Sequence, residues 1–131
     1  MKNTFLQKFL LIAAIGLFSQ FSVAQPSAAN AAAAKQIADI VASLSHYPSD
    51  DDKMALNAII GDSALAGPIH AMASAVVNIE HAATAEGKTA MATIQGNDAL
   101  PDRAKALAGI IASLNHTASA DAKAELTQLY P

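Results

Sequence analysis

Apolar residues recur along this chain at helical spacing. Ile37, Ile40, Val41 and Leu44 stand at i, i+3, i+4 and i+7, one stripe of a 3.6-residue period. Leu107, Ile110, Ile111 and Leu114 repeat that stripe, and Met72, Val76 and Ile79 do so with Ala75 as a smaller member. A shorter segment follows each, with a narrow apolar edge: Leu56 and Ile59, Met91 and Ile94, Leu126 and Leu129. No stretch alternates with period two, which leaves β-structure without support. Alanine, the strongest helix former, supplies 32 of the 131 residues, and both signals predict an all-α chain.

The pattern is a repeat with a period of 35 residues. His46, His81 and His116 fall in register. So do Ser49, Thr84 and Ser119, then Asp51, Glu86 and Asp121, then Lys53, Lys88 and Lys123. Units 27–61, 62–96 and 97–131 fill the chain without a gap. Each unit reads as a helical hairpin, with a first helix of about 15 residues (about 22 Å) and a second of about 11 (about 16 Å). The turns are expected near residues 46–49, 81–84 and 116–119.

Local chemistry supports those boundaries. Pro68 and Pro101 suit a first helical turn, where a missing N–H leaves nothing unpaired. Ser49, Thr84 and Ser119 are placed to N-cap the second helices, and Asp51, Glu86 and Asp121 to complement the positive end of the helix dipole. Gly61 and Gly96 are expected to end the second helices in a left-handed cap. A single hairpin cannot bury its apolar face, and three is the usual minimum for a stable array. The expected fold is therefore all-α: three tandem 35-residue hairpins, six helices, in a compact array or short α-solenoid-like bundle. Tetratricopeptide-type repeats have a similar period, but their Trp, Leu-Gly, Tyr and Phe positions are absent, so the period alone assigns no family.

The N-terminal stretch has a different character. Lys2 and Lys8 precede an apolar run, Phe9–Phe18, and Ser22-Val23-Ala24 offers small residues at a cleavage site before Gln25. That order is expected of a secretory signal peptide over residues 1–24. The run is too short for a permanent membrane anchor. The rest, 25–131, is expected to be one domain, periplasmic or secreted, with no membrane span after cleavage. It carries six basic and eleven acidic side chains, a net of −5, and no Cys. No basic cluster exists, which argues against nucleic acid as a partner. Without Cys, no disulfide holds the fold.

The repeated turns carry the candidate chemistry. His46, His81 and His116 together suggest a metal or proton site, since His is the commonest metal ligand. Against this, a His at a helix C-terminus also meets exposed carbonyls and the negative dipole end. Stacked hairpins would hold equivalent positions about 8–10 Å apart, whereas the ligands of one ion lie about 2 Å from it. The turns thus read first as caps, with the three His as metal candidates only.

Asp50-Asp51-Asp52 lacks the Gly and Glu of an EF-hand loop and reads as a solvated helix start. His70 stands where the other units have Lys35 and Lys105, an exposed basic position. Tyr47 and Tyr130 are the only aromatics outside the leader and are candidates for an interaction surface.

No nucleophile elbow, phosphate-binding Gly loop or HExxH occurs. Three in-register copies also argue against a single catalytic triad. The expectation is a non-catalytic exported protein, without a cofactor, that binds a protein partner in an inhibitor, immunity-type or holdase role. The alternative is a metal- or pH-responsive protein built on the His-bearing turns.

Overall fold

The computed structural model describes residues 27–131. The expected leader and its cleavage site lie outside the described residues. Six helices follow in order: α1 Ala28–Ser43, α2 Asp50–Gly61, α3 Gly67–Val77, α4 Ala85–Gln95, α5 Asp102–Ser113 and α6 Ala120–Leu129. Among the described residues there is no strand, and no helix is long and apolar enough to cross a membrane. The three turns interrupt the helices where the polar links predict.

The hairpins close into a ring. Helices α1, α3 and α5 pack against one another as an inner bundle. The outer helices fill the grooves between them: α2 touches α1 and α3, α4 touches α3 and α5, and α6 touches α5 and α1. The last helix thus meets the first. Lys35 Nζ on α1 also donates to the backbone carbonyl of Tyr130, 95 residues later, at 3.3 Å.

The stripes make the core. Ile37, Val41, Met72, Val76, Leu107 and Ile111 are fully buried on the inner helices, and Leu56, Met91 and Leu126 answer them from the outer ones. Leu44, Ile79 and Leu114 are buried just past the ends of α1, α3 and α5. They anchor the chain as it leaves each inner helix. Small residues permit close approach: a Cβ placed on Gly87 of α4 would come within 3.5 Å of the Ala75 Cβ on α3.

The second helices begin as expected. Ser49 Oγ accepts from the Asp52 N–H at 3.1 Å, Thr84 Oγ1 from Gly87 at 3.0 Å and Ser119 Oγ from Ala122 at 3.1 Å. Asp51, Glu86 and Asp121 lie in the first turns, on the solvent side. Asp52 adds a contact that the spacing does not predict. Its carboxylate accepts from the Ser49 N–H at 3.1 Å and completes a capping box. Pro68 sits in the first turn of α3, and Pro101 one step earlier, as the N-cap residue of α5.

The helix ends correct one expectation. No described glycine has a positive φ. Gly61 is the last helical residue of α2, capped by Asp62, and Gly96 caps α4 at φ −82°. The left-handed conformation occurs at the other end of the molecule, on His46, His81 and His116, with φ of 67°, 70° and 66°. The preceding Leu44 and Leu114 leave their helices in extended conformation, so the reversal falls on the His two residues on.

Candidate metal centre

All three inner helices run in the same direction, so their C-terminal ends meet at one end of the bundle. The chain leaves each helix through a buried aliphatic residue, then a polar one (Ser45, Glu80 or Asn115), then the His. At His46 and His116 the turn is tight. Tyr47 donates its N–H to the Ser45 carbonyl and Thr117 its N–H to the Asn115 carbonyl, each at 2.8 Å. An i+2 to i hydrogen bond around a positive-φ residue is the γ-turn of the rare, strained hand.

The three turns are tied to one another through their backbones. His46 donates its N–H to the His116 carbonyl at 2.5 Å. His81 donates to His46 at 2.6 Å, and His116 to His81 at 2.5 Å. The three bonds form a closed cycle. Isolated bridges between flanking residues, such as Ser45 with Thr117 and Ala82 with Asn115, extend it. The cycle pairs the N–H and the C=O of each His, backbone groups that lie beyond the helices' own ladders.

This cycle brings the imidazoles together. Ring centres lie 5.4 Å apart for His46 and His81, and 5.1 Å for each of the other two pairs. One ring nitrogen of each His lies within 4.8 Å of one from each of the others. The expected spacing of 8–10 Å between equivalent positions is overturned. It assumed an open stack, in which hairpins translate along an axis. Closure into a ring rotates them about an axis instead, and residues near that axis converge.

Three imidazoles binding one ion at about 2.0–2.1 Å require nitrogens roughly 3.3–3.6 Å apart. The site is within a modest side-chain adjustment of that. All three His are exposed, so their rings are free to tilt. Asn115 Oδ1 lies 2.6 Å from His116 Nδ1, and Ser45 Oγ lies 3.2 Å from His46 Nδ1. An oxygen accepting from Nδ1–H leaves Nε2 as the basic nitrogen, the arrangement that fixes a metal-ligating tautomer. Glu80 takes the corresponding place before His81. The carbonyl-bearing ends of α1, α3 and α5 favour a cation here. The outer helices begin at this end too, but their own caps and acidic first turns serve their N–H groups.

The other candidate residues separate from this group. Asp51, Glu86 and Asp121 belong to no ligand cluster with the His, and remain helix-start residues. His70 Nε2 lies 2.8 Å from the Asp62 carbonyl, across the link between α2 and α3. Tyr47 projects beside His46 with 62% of its surface exposed. Tyr130, expected at an interaction surface, is instead buried. It is only 5% exposed, and its hydroxyl donates to the Arg103 carbonyl at 3.1 Å. The end of the chain is folded back to close the ring, which is why that aromatic is covered.

Comparison of the chain with family models, with curated proteins and with solved structures found no match. The residues of the site therefore carry the functional reading.

Proposed function

We propose that this chain is a small exported, non-catalytic protein that binds a divalent late first-row transition ion through His46, His81 and His116. The observation that carries this reading is the convergence of three imidazoles on residues of positive φ. Left-handed backbone is cheapest for Gly and is tolerated by Asn. Three His in that conformation retain backbone strain for the sake of their side chains, and such strain gathers at functional sites. Imidazole ligands suit Zn²⁺, Cu²⁺ and Ni²⁺. Three protein ligands on an exposed face leave a coordination position for water or an exchanging ligand. That arrangement suits reversible holding of an ion better than a closed structural site. Export is supported by the ordered Lys, apolar and small-residue signature of residues 1–24.

The test is calorimetric titration of chelator-stripped protein with Zn²⁺, Ni²⁺ and Cu²⁺. One equivalent should bind, and each single His→Ala variant should weaken binding sharply. Binding that is absent, or indifferent to all three substitutions, overturns the reading.

A second reading has its own support. Tyr47 is 62% exposed and Met54 is 72% exposed, both on the first hairpin. Large exposed side chains of these types are enriched where proteins meet. A protein partner docking beside the His cluster is the corresponding proposal. It is tested by replacing Tyr47 and Met54 together and measuring capture of that partner from an envelope extract.

A further inference from the structure

The end of the bundle opposite the histidines carries a second candidate site. There the N-terminal parts of α1, α3 and α5, with Tyr130, line a cavity of about 220 Å³ that is open to solvent on one side. Its wall is largely aliphatic and small, including Ala31, Ala34, Ala66 and Leu100. The cavity has a cause in the sequence. Positions 34, 69 and 104 are equivalent in the three units and hold Ala, Ile and Ala. Two of the three places that could fill the axis are left small.

One charged side chain lines this wall, Arg103. Its equivalents in the other units are Ala33 and Pro68, so the cation belongs to this cavity and not to the repeat. Among the described residues Arg103 makes no salt bridge. The neighbouring carboxylate, Asp102, is fully exposed and faces Lys105 at 3.7 Å. The guanidinium is instead held over the buried ring of Tyr130, 5.7 Å from its centre. Asn30 also lines the wall, and its Oδ1 accepts from the Ala66 N–H at 2.9 Å. Its amide NH₂ remains as a further donor.

We propose that this cavity binds a small monocarboxylate with an apolar body. The Arg103 guanidinium would take the carboxylate, a pairing that is commonly bidentate and charge-assisted. The alanine wall would take the hydrocarbon. At about 30 Å³ per water-sized group, the cavity holds roughly seven such groups, the size of a six-carbon acid. The chemistry is independent of the metal centre at the other end.

The test titrates the isotope-labelled protein with sodium hexanoate, 1-hexanol and hexylamine, followed by amide chemical shifts. Chelator is present throughout, so no carboxylate can bind through an ion. Hexanoate should bind about tenfold or more tightly than hexanol, the usual advantage of a charged hydrogen bond, and hexylamine more weakly still. The shifts should map to Ala31, Ala66, Leu100 and Arg103. Arg103→Gln should bring hexanoate down to the affinity of hexanol. Ala34→Ile, which copies Ile69 of the second unit, should abolish binding of both. Should Ala34→Ile fail to fold, the Arg103→Gln variant, at a partly buried position, decides alone. Equal binding of acid and alcohol, binding indifferent to Arg103→Gln, shifts that map elsewhere, or no saturation at millimolar hexanoate would each overturn the proposal.

Discussion

His81 donates its backbone N–H to the carbonyl of His46, a residue in the preceding hairpin, at 2.6 Å. The same bond recurs from His116 to His81, and from His46 back to His116. The backbone thereby ties together the three units whose side chains form the candidate site. A metal ion would bridge the same three turns. Binding of the ion and closure of the ring are therefore coupled, because a ligand that binds only the folded state stabilises it.

That coupling predicts a pattern in thermal melts. Zn²⁺ or Ni²⁺ at a hundred times its dissociation constant should add about 2.7 kcal/mol to stability. Any single His→Ala variant should lose most of that gain, and a second substitution should add little. If the turns are only caps, losses are additive and independent of metal. Melts of single and double variants, with metal and with chelator, separate the two outcomes.

The left-handed backbone predicts an effect of opposite sign. Replacing His46, His81 or His116 with Gly removes a side chain from a conformation that Gly adopts without a Cβ clash. In chelator, each His→Gly variant should be at least as stable as the parent, and clearly more stable than its His→Ala counterpart. Every such variant should nonetheless bind metal poorly. Urea midpoints and calorimetry on the same samples check both halves. A Gly variant that is less stable than its Ala counterpart would show that the rings are held for structure.

Much of the fold is legible because its determinants are local. Ile37, Val41 and Leu44 are buried as their spacing predicts. Ser49, Thr84 and Ser119 cap as their position before an acidic turn predicts. The site is less legible, because it depends on a choice that periodicity does not encode. The same amphipathic stripe serves an open stack or a closed ring, and only the ring brings His46 to His116. The left-handed residues were equally hidden. Gly61 and Gly96 carry the usual sequence signal for that conformation, and they take negative φ or end a helix without it. The repeated His were visible as a motif, but their convergence required the contact between α6 and α1. Tyr130 is covered by a long-range contact of the same kind, its hydroxyl on the Arg103 carbonyl of α5 and its own carbonyl on Lys35 of α1.

The caps should behave as independent local features. Replacing Ser49, Thr84 or Ser119 with Ala should cost about 0.5–2 kcal/mol each. Ser49 should stand toward the upper part of that range, because its backbone N–H also loses a well-placed partner when the capping box with Asp52 is disturbed. Double variants in different hairpins should sum. Urea unfolding of the three single and three double variants measures this. Non-additivity between hairpins would mean that the turns communicate through the His cycle.

Burial of Tyr130 predicts a loss of stability at alkaline pH. Burial pushes the Tyr130 hydroxyl above the usual tyrosine value of 10.0, and nearby Arg103 offsets this only in part. The folded pKa is therefore above the unfolded one. The stability that goes with the neutral hydroxyl is fully present below about pH 10. It is lost as pH rises from the unfolded value through the folded one, because the unfolded chain releases its proton first. Ionisation also ends the hydrogen bond that Tyr130 donates to the Arg103 carbonyl. Tyr130→Phe has no proton to lose. It should begin somewhat less stable at neutral pH, for want of that bond, and then decline less between pH 9.5 and 11.5 than the parent. Urea midpoints across that range for the two proteins make the comparison, at fixed ionic strength and with chelator to keep metal out. Parallel profiles would show that the Tyr130 hydroxyl is solvated in the folded protein.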